Sequence, residues 1–171
     1  MSAVLLAARR TAIVPRGGAF AALEIHDLAA PVIAAVLADA GLSGVDVQEV
    51  ILGNALGAGG NPARIVALAA GLPERVAGLS IDRQCASGLD AIRVAAAMVE
   101  AGQVDVALAG GVESYSRRPI RARTFADGRA PEPYEQAAFA PDPAKDVDMA
   151  EAADALGRAW GISRAAQDAW A

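Results

Sequence analysis

The chain has 171 residues, 54% of them hydrophobic but only 4% aromatic, with a formal net charge of −5 and a single cysteine. That length suits one domain of ordinary size with a sizeable core, and the scarcity of aromatics predicts closely approaching helices and strands. The acidic balance excludes a general nucleic-acid binder, one cysteine excludes an internal disulfide, and no apolar run reaches the roughly 18 residues of a membrane span.

No CxxC pair or histidine cluster suggests a metal site. In MSAVLLAARRTAIVPRGG the basic residues follow the apolar ones, unlike a signal peptide, so a cytoplasmic α/β protein is expected. Ala3 to Ala8 reads as a first strand. Asp27 can cap a helix to about Ala40, with Val32, Ile33, Val36 and Leu37 at helical spacing, Pro31 awkward in its first turns and Gly41 at its end. Val47 to Leu52 reads as a second strand. Asn61 caps the next helix, Pro62 occupies its first turn, and Gly71 with Pro73 stops it after Ala70.

Ala77 to Ile81 is a third strand. A helix from about Ala86 to Ala101 follows, polar only along Asp90, Arg93 and Glu100, and therefore expected to be mostly buried. Val104 to Ala109 is apolar at nearly every position, as a covered parallel strand is. This alternation predicts a mainly parallel sheet with helices on both faces. Ser116 to Pro143 then holds five of the nine prolines and five arginines without periodicity, which predicts a lid, binding loop or insertion. Asp148 and Glu151 open a helix to Gly161, and Ser163 caps a last one.

The lone cysteine, Cys85, lies between the third strand and the apolar helix. Parallel sheets present reactive groups where strands end and helices begin. The free N–H groups and positive dipole of a helix start stabilise a thiolate, and Ser87 and Gly88 leave room for an acyl group. Acyl transfer through a thioester suits such a thiol, while an inert core cysteine fits the same position. The only histidine, His26, stands beside Glu24 and Asp27 in a solvated cap region and is a poor catalytic base.

RQCASGLDAI (Arg83 to Ile92) and AGGVES (Ala109 to Ser114) resemble the thiolase family. So do GGNPARIVALAAGLP (Gly59 to Pro73), RTAIVPRGGAF (Arg10 to Phe20) and GISRAAQD (Gly161 to Asp168), in family order over nearly the whole chain. The related ketoacyl synthases differ around their cysteine, which usually sits in a CSS-like context. The resemblance implies a three-layer α/β/α fold of which this chain carries the N-terminal half only, with a buried helix after Cys85. Residues 1–115 would form the α/β core and 116–171 the start of an inserted loop domain, apparently truncated. Cys85 would take an acyl group from acyl-CoA. Claisen condensation with acetyl-CoA, or thiolysis of 3-ketoacyl-CoA in reverse, would follow, with coenzyme A thioesters as substrates and no further cofactor.

Asp82 stands where many relatives have asparagine, and Ala86 where many have glycine. The family's other catalytic groups lie in GHP-, CxG- and NE-type motifs of a second half, which these residues do not contain. A homo-oligomer or a C-terminal-half partner chain is therefore expected. The rival readings are a non-catalytic remnant that binds acyl-CoA or a partner, and a ketoacyl-synthase relative.

Three other features have simpler explanations. GNALGAGGNP (Gly53 to Pro62) imitates a dinucleotide turn, but Pro62 occupies the place of the third glycine. Arg117, Arg118 and Arg121 are candidates for the phosphates of CoA, against the simpler reading of a solvated loop. Gly110 and Gly111 mark a close backbone approach or positive φ near the cysteine.

Overall fold

A computed structural model describes residues 2–57 and 59–171. It divides into two compact units, one ending at Pro119 and one spanning Ile120–Ala171.

The first unit opens with an extended segment and then α1 (Ile25–Ala40). The helix begins two residues before Asp27, with Glu24 as cap; Asp27 works from inside the first turn, where its Oδ2 accepts the Glu24 N–H at 2.9 Å. Pro31 stays within the helix on an exposed position, and Gly41 at φ 66° turns the chain out of it. Next come β1 (Glu49–Gly53), α2 (Pro62–Ala69), β2 (Ala77–Ile81), α3 (Ser87–Glu100) and β3 (Ala107–Gly111). Asn61 caps α2 as expected, its Oδ1 accepting from Arg64 N at 3.2 Å while its Nδ2 donates to Gly78 O at 2.7 Å.

The three strands are parallel in the order β2-β1-β3. β1 and β3 begin later than their apolar runs. Ahead of the ladder, Gln48 Oε1 takes the N–H groups of Asp105 and Val106 at 2.5 and 3.2 Å, while its backbone N–H donates to Val106 O at 3.1 Å, so a side chain adds to the backbone pairing there.

The crossovers from β1 to β2 and from β2 to β3 run in opposite directions, and right-handed connections then place their helices on opposite faces. On one face Val50 and Leu52 pack with Ile25, Ile33 and Leu37 of α1 and Ala63, Val66 and Ala67 of α2. On the other, Ile51 packs with Ala91 and Ala95 of α3.

Two expectations change. Ala3 to Ala8 forms no strand: Val4, Leu5 and Leu6 are exposed, and the segment pairs with none of the three strands. A short apolar run needs a ladder partner and a covered face to become a strand, and here it has neither. The helix after the cysteine is buried only along Ser87, Ala91 and Ala95, with Leu89 64% and Ile92 44% exposed, because the sheet covers one side of it.

The second unit contains β4 (Arg121–Arg123) and β5 (Glu132–Tyr134), an antiparallel pair inside the proline-rich stretch expected to be irregular. Three-residue strands carry no readable alternation. Here Arg121 and Arg123 lie over the Tyr134 ring at 5.3 and 5.5 Å from its centroid. After them come α4 (Met149–Ala159), capped by Asp148, and α5 (Arg164–Trp170), capped by Ser163. No described residue of this unit is buried. Among the described residues no helix is long and apolar enough to cross a membrane.

Candidate active site

Cys85 is exposed, four residues beyond the end of β2 and one before Ala86, the cap of α3. It therefore precedes the first helical turn instead of standing within it. The residue before it, Gln84, is the only non-glycine at positive φ (51°) among the described residues. That left-handed conformation disfavours an L-residue by about 1–2 kcal/mol.

Hydrogen bonds hold Gln84 from both sides. Its N–H donates to Asp82 Oδ1 at 2.8 Å. Its carbonyl accepts from Ser87 N at 3.1 Å and from Ser87 Oγ at 2.7 Å, while Arg83 N donates to the same Oγ at 2.6 Å. Ser87 was expected to leave room beside the sulfur; instead it is buried beneath the turn and stitches it. Arg83 continues outward to Asp90, which Arg93 also meets, at 2.5 and 3.0 Å. The Arg83 hydrogen bond, more than any other contact, holds the Asp90 carboxyl below its ordinary range.

Glycines bring this turn close to the sheet. A Cβ on Gly53, at the end of β1, would lie 2.6 Å from Ser87 Cβ and 2.8 Å from Gly88 N. A Cβ on Gly111, paired with Gly53 across the ladder, would lie 3.4 Å from Gly88 Cα. The backbone entering α3 thus rests directly on the carboxyl ends of β1 and β3. Gly111 serves the close approach expected of it, whereas Gly110 has open space at its Cβ position and no positive φ.

A further residue, missed in the sequence, organises the neighbouring loop. Glu113 accepts from Asn54 Nδ2, and its Oε2 accepts from Ala55 N and Leu56 N at 3.0 Å each. A carboxylate occupies backbone N–H groups that a phosphate would require, which agrees with rejecting this glycine-rich turn as a nucleotide loop. Ala58 of that turn lies outside the described residues. The acidic residue of AGGVES was the only available signal. Asn54 itself is buried, its Nδ2 also donating to Val112 O at 2.9 Å.

The remaining candidates have partners of their own. His26 lies in the first turn of α1, on the face opposite α3, with Nε2 3.8 Å from Asp27. Arg117 pairs with Glu24 at 2.8 Å, and Arg118 lies over the Tyr115 ring at 4.3 Å. Arg121 belongs to the second unit and donates to Glu135 O at 2.9 Å. Among the described residues no group of three His, Cys, Asp or Glu is placed to hold a metal ion. The site offers an exposed thiol on a strained, heavily bonded turn, suited to nucleophilic attack on an acyl group.

The family described as thiolase, N-terminal domain, matches residues 3–171. A Bacillus subtilis protein named "Putative acetyl-CoA C-acetyltransferase YhfS" is 42% identical over 174 residues, covering 100% of this chain and 43% of its own length. A Staphylococcus aureus protein named "Putative acetyl-CoA C-acetyltransferase VraB" is 40% identical, with 99% and 45% covered. The crystal structure of the Bacillus anthracis acetyl-CoA acetyltransferase superposes with a TM-score of 0.80 at 34% identity, over 94% of this chain and 42% of that one. The chain therefore spans less than half the length of these relatives.

Proposed function

The chain belongs to the thiolase family, and from that premise we propose that it carries the nucleophile of acyl transfer between coenzyme A thioesters, with Cys85 as that nucleophile. The observation that carries the reading is the placement of an exposed thiol on the Gln84 turn, at the carboxyl end of β2, inside the matched region. The thiolate attacks the carbonyl carbon of acyl-CoA. A bond forms from Sγ to the acyl carbon, the bond from that carbon to the CoA sulfur breaks, and CoA leaves as a thiolate that takes up a proton. The backbone N–H of Cys85 is a candidate donor to the transient oxyanion. Condensation with acetyl-CoA, or thiolysis in reverse, would then return free Cys85.

Sustained turnover needs a base near the sulfur and a second acid/base group. These residues supply one cysteine and one histidine, the latter beside Asp27. The remaining groups that this reading requires would come from a region equivalent to the remainder of the relatives, and a second copy of the chain is a further partner we propose. Residues 116–171 would begin an inserted loop domain, the arginines 117, 118 and 121 would face CoA phosphates, and the setting would be cytoplasmic.

The test is mass spectrometry of the chain after exposure to acetyl-CoA. One acetyl group on Cys85, absent in Cys85→Ser, is expected. Release of CoA should stop after one equivalent unless a polypeptide equivalent to the remainder of the relatives is added. A folded chain that never acetylates would favour the rival, a segment that binds acyl-CoA or a partner without chemistry.

A further inference from the structure

We propose that Ser87 is a positioning residue for Cys85, acting by holding Gln84 in its left-handed conformation. The inference rests on Cys85 being the nucleophile, and it adds a residue on which that nucleophile depends.

Four observations converge on Ser87. It is 4% exposed, so its hydroxyl has lost water and needs partners. It has two, both within the turn: Arg83 N donates to Oγ at 2.6 Å, and Oγ donates to Gln84 O at 2.7 Å. These bonds bracket the one described non-glycine residue whose φ lies in the left-handed region. Finally, the Cβ of Ser87 rests over Gly53, where an added Cβ would come within 2.6 Å, so the hydroxyl is referenced to the central strand.

Without the hydroxyl, Gln84 retains its bonds to Asp82 and to Ser87 N. Its carbonyl and the Arg83 N–H lose a partner, and ordinary φ values become competitive. Rotation about Gln84 swings Cys85, the next residue, away from the entrance to α3. The same logic gives Asp82 a smaller share from the other side: its Oδ1 fixes the Gln84 N–H, a bond that an asparagine would also make.

The experiment measures the rate of Cys85 alkylation by iodoacetamide at fixed pH in the whole chain, with circular dichroism to confirm folding. Ser87→Ala should slow alkylation at least about tenfold, because it removes both hydrogen bonds of the hydroxyl. Adding Gln84→Gly should bring the rate back to within about threefold of the parent, because glycine adopts positive φ without strain. A cavity or a general loss of stability would not be repaired by that second change. Equal rates for Ser87→Ala and the parent, or no rescue by glycine, would overturn the proposal.

If Ser87→Ala does not fold, the exposed Asp82 decides. Asp82→Ala should be slower by about threefold and Asp82→Asn unchanged; no difference between Asp82→Ala and the parent would overturn it. Acetylation by acetyl-CoA separates this inference from the functional reading. Alkylation rates in the expected order with no acetylation in any folded chain would remove acyl transfer and leave the positioning intact. Equal acetylation of the parent and Ser87→Ala would remove the positioning and leave acyl transfer intact.

Discussion

On one face of the sheet, α1 and α2 lie over Val50 and Leu52, and Val47, Val66 and Val76 are fully excluded from solvent. On the other face α3 lies alone over Ile51, meeting it with Ala91 and Ala95 while Leu89 and Ile92 remain exposed. The first face buries large side chains. The second buries Ile51 against small residues, and its close backbone approach, at Gly53, Gly88 and Gly111, lies under the entrance to α3. On the first face the α2 backbone at Arg64 comes equally close to Gly78 of β2, but within a much larger buried cluster. The physical difference is between area removed from water and where the close approach falls. Area stabilises the fold wherever it is gained, whereas closeness fixes the coordinates of one turn, and the nucleophile candidate sits on that turn.

Gly53→Ala should break this arrangement most severely. Its new Cβ would meet Ser87 and Gly88 backbone atoms at 2.7 and 2.8 Å, which no side-chain rotation relieves. A loss of about 3 kcal/mol is expected from overpacking. It should come with altered Cys85 alkylation, because the displaced atoms adjoin the Gln84 turn. Urea unfolding together with alkylation kinetics would check both; a stable protein with normal alkylation would mean that the glycine contact does not position the turn.

Val66→Ala attacks the opposite face and should lose about 2 kcal/mol, the value of a fully buried valine reduced to its Cβ. In the folded protein Cys85 alkylation should stay within about twofold of the parent, since α2 touches the other side of the sheet. Equal damage to the thiol would show the two faces to be coupled more tightly than their packing suggests.

The sequence announced these faces unevenly. Helix caps such as Asn61, Asp148 and Ser163 depend on residues within one turn, and the structure confirms each. β2 was legible to the residue, and the cysteine at a strand-to-helix junction followed from the same alternation. What stayed hidden depends on distant partners or local conformation. Glu113 closes on Asn54, 59 residues earlier in the chain. Gln84 carries no glycine-like signature for its positive φ, and the β4–β5 pair sets two guanidiniums over one ring, Tyr134, at no fixed period. The N-terminal apolar run looked like a strand because composition alone cannot say whether a ladder partner exists.

The outer side of α3 tests whether exposed apolar surface there stabilises anything within the chain. Leu89→Ser with Ile92→Ser should change stability by no more than about 0.5 kcal/mol, as for substitutions outside a packed core. Self-association, measured by sedimentation, should fall if these side chains form a sticky surface. A large loss of stability would mean that α3 is covered on both sides after all.

Glu49 gives the smallest expected effect and the sharpest contrast in chemistry. Strand residues alternate between faces, so Glu49, two residues before Ile51, points to the α3 side of β1. The thinly covered face admits a carboxylate where the other face places valine and leucine. Partial burial raises the carboxyl pKa of Glu49 above its ordinary value, because desolvation penalises the charged form. The folded state therefore binds the proton more readily than the unfolded one. Stability falls as pH rises from the unfolded pKa through the folded one, and at neutral pH the full penalty for the charge is present. Glu49→Gln removes that penalty, so it should stabilise the chain slightly at pH 7 and lose its advantage as the medium is acidified below the ordinary glutamate range. Urea midpoints of both proteins at neutral and acidic pH provide the measurement. An advantage that grew on acidification would mean that the carboxylate is stabilised where it sits, and that the α3 face is polar enough at its amino end to make the contrast with the α1–α2 face one of packing alone.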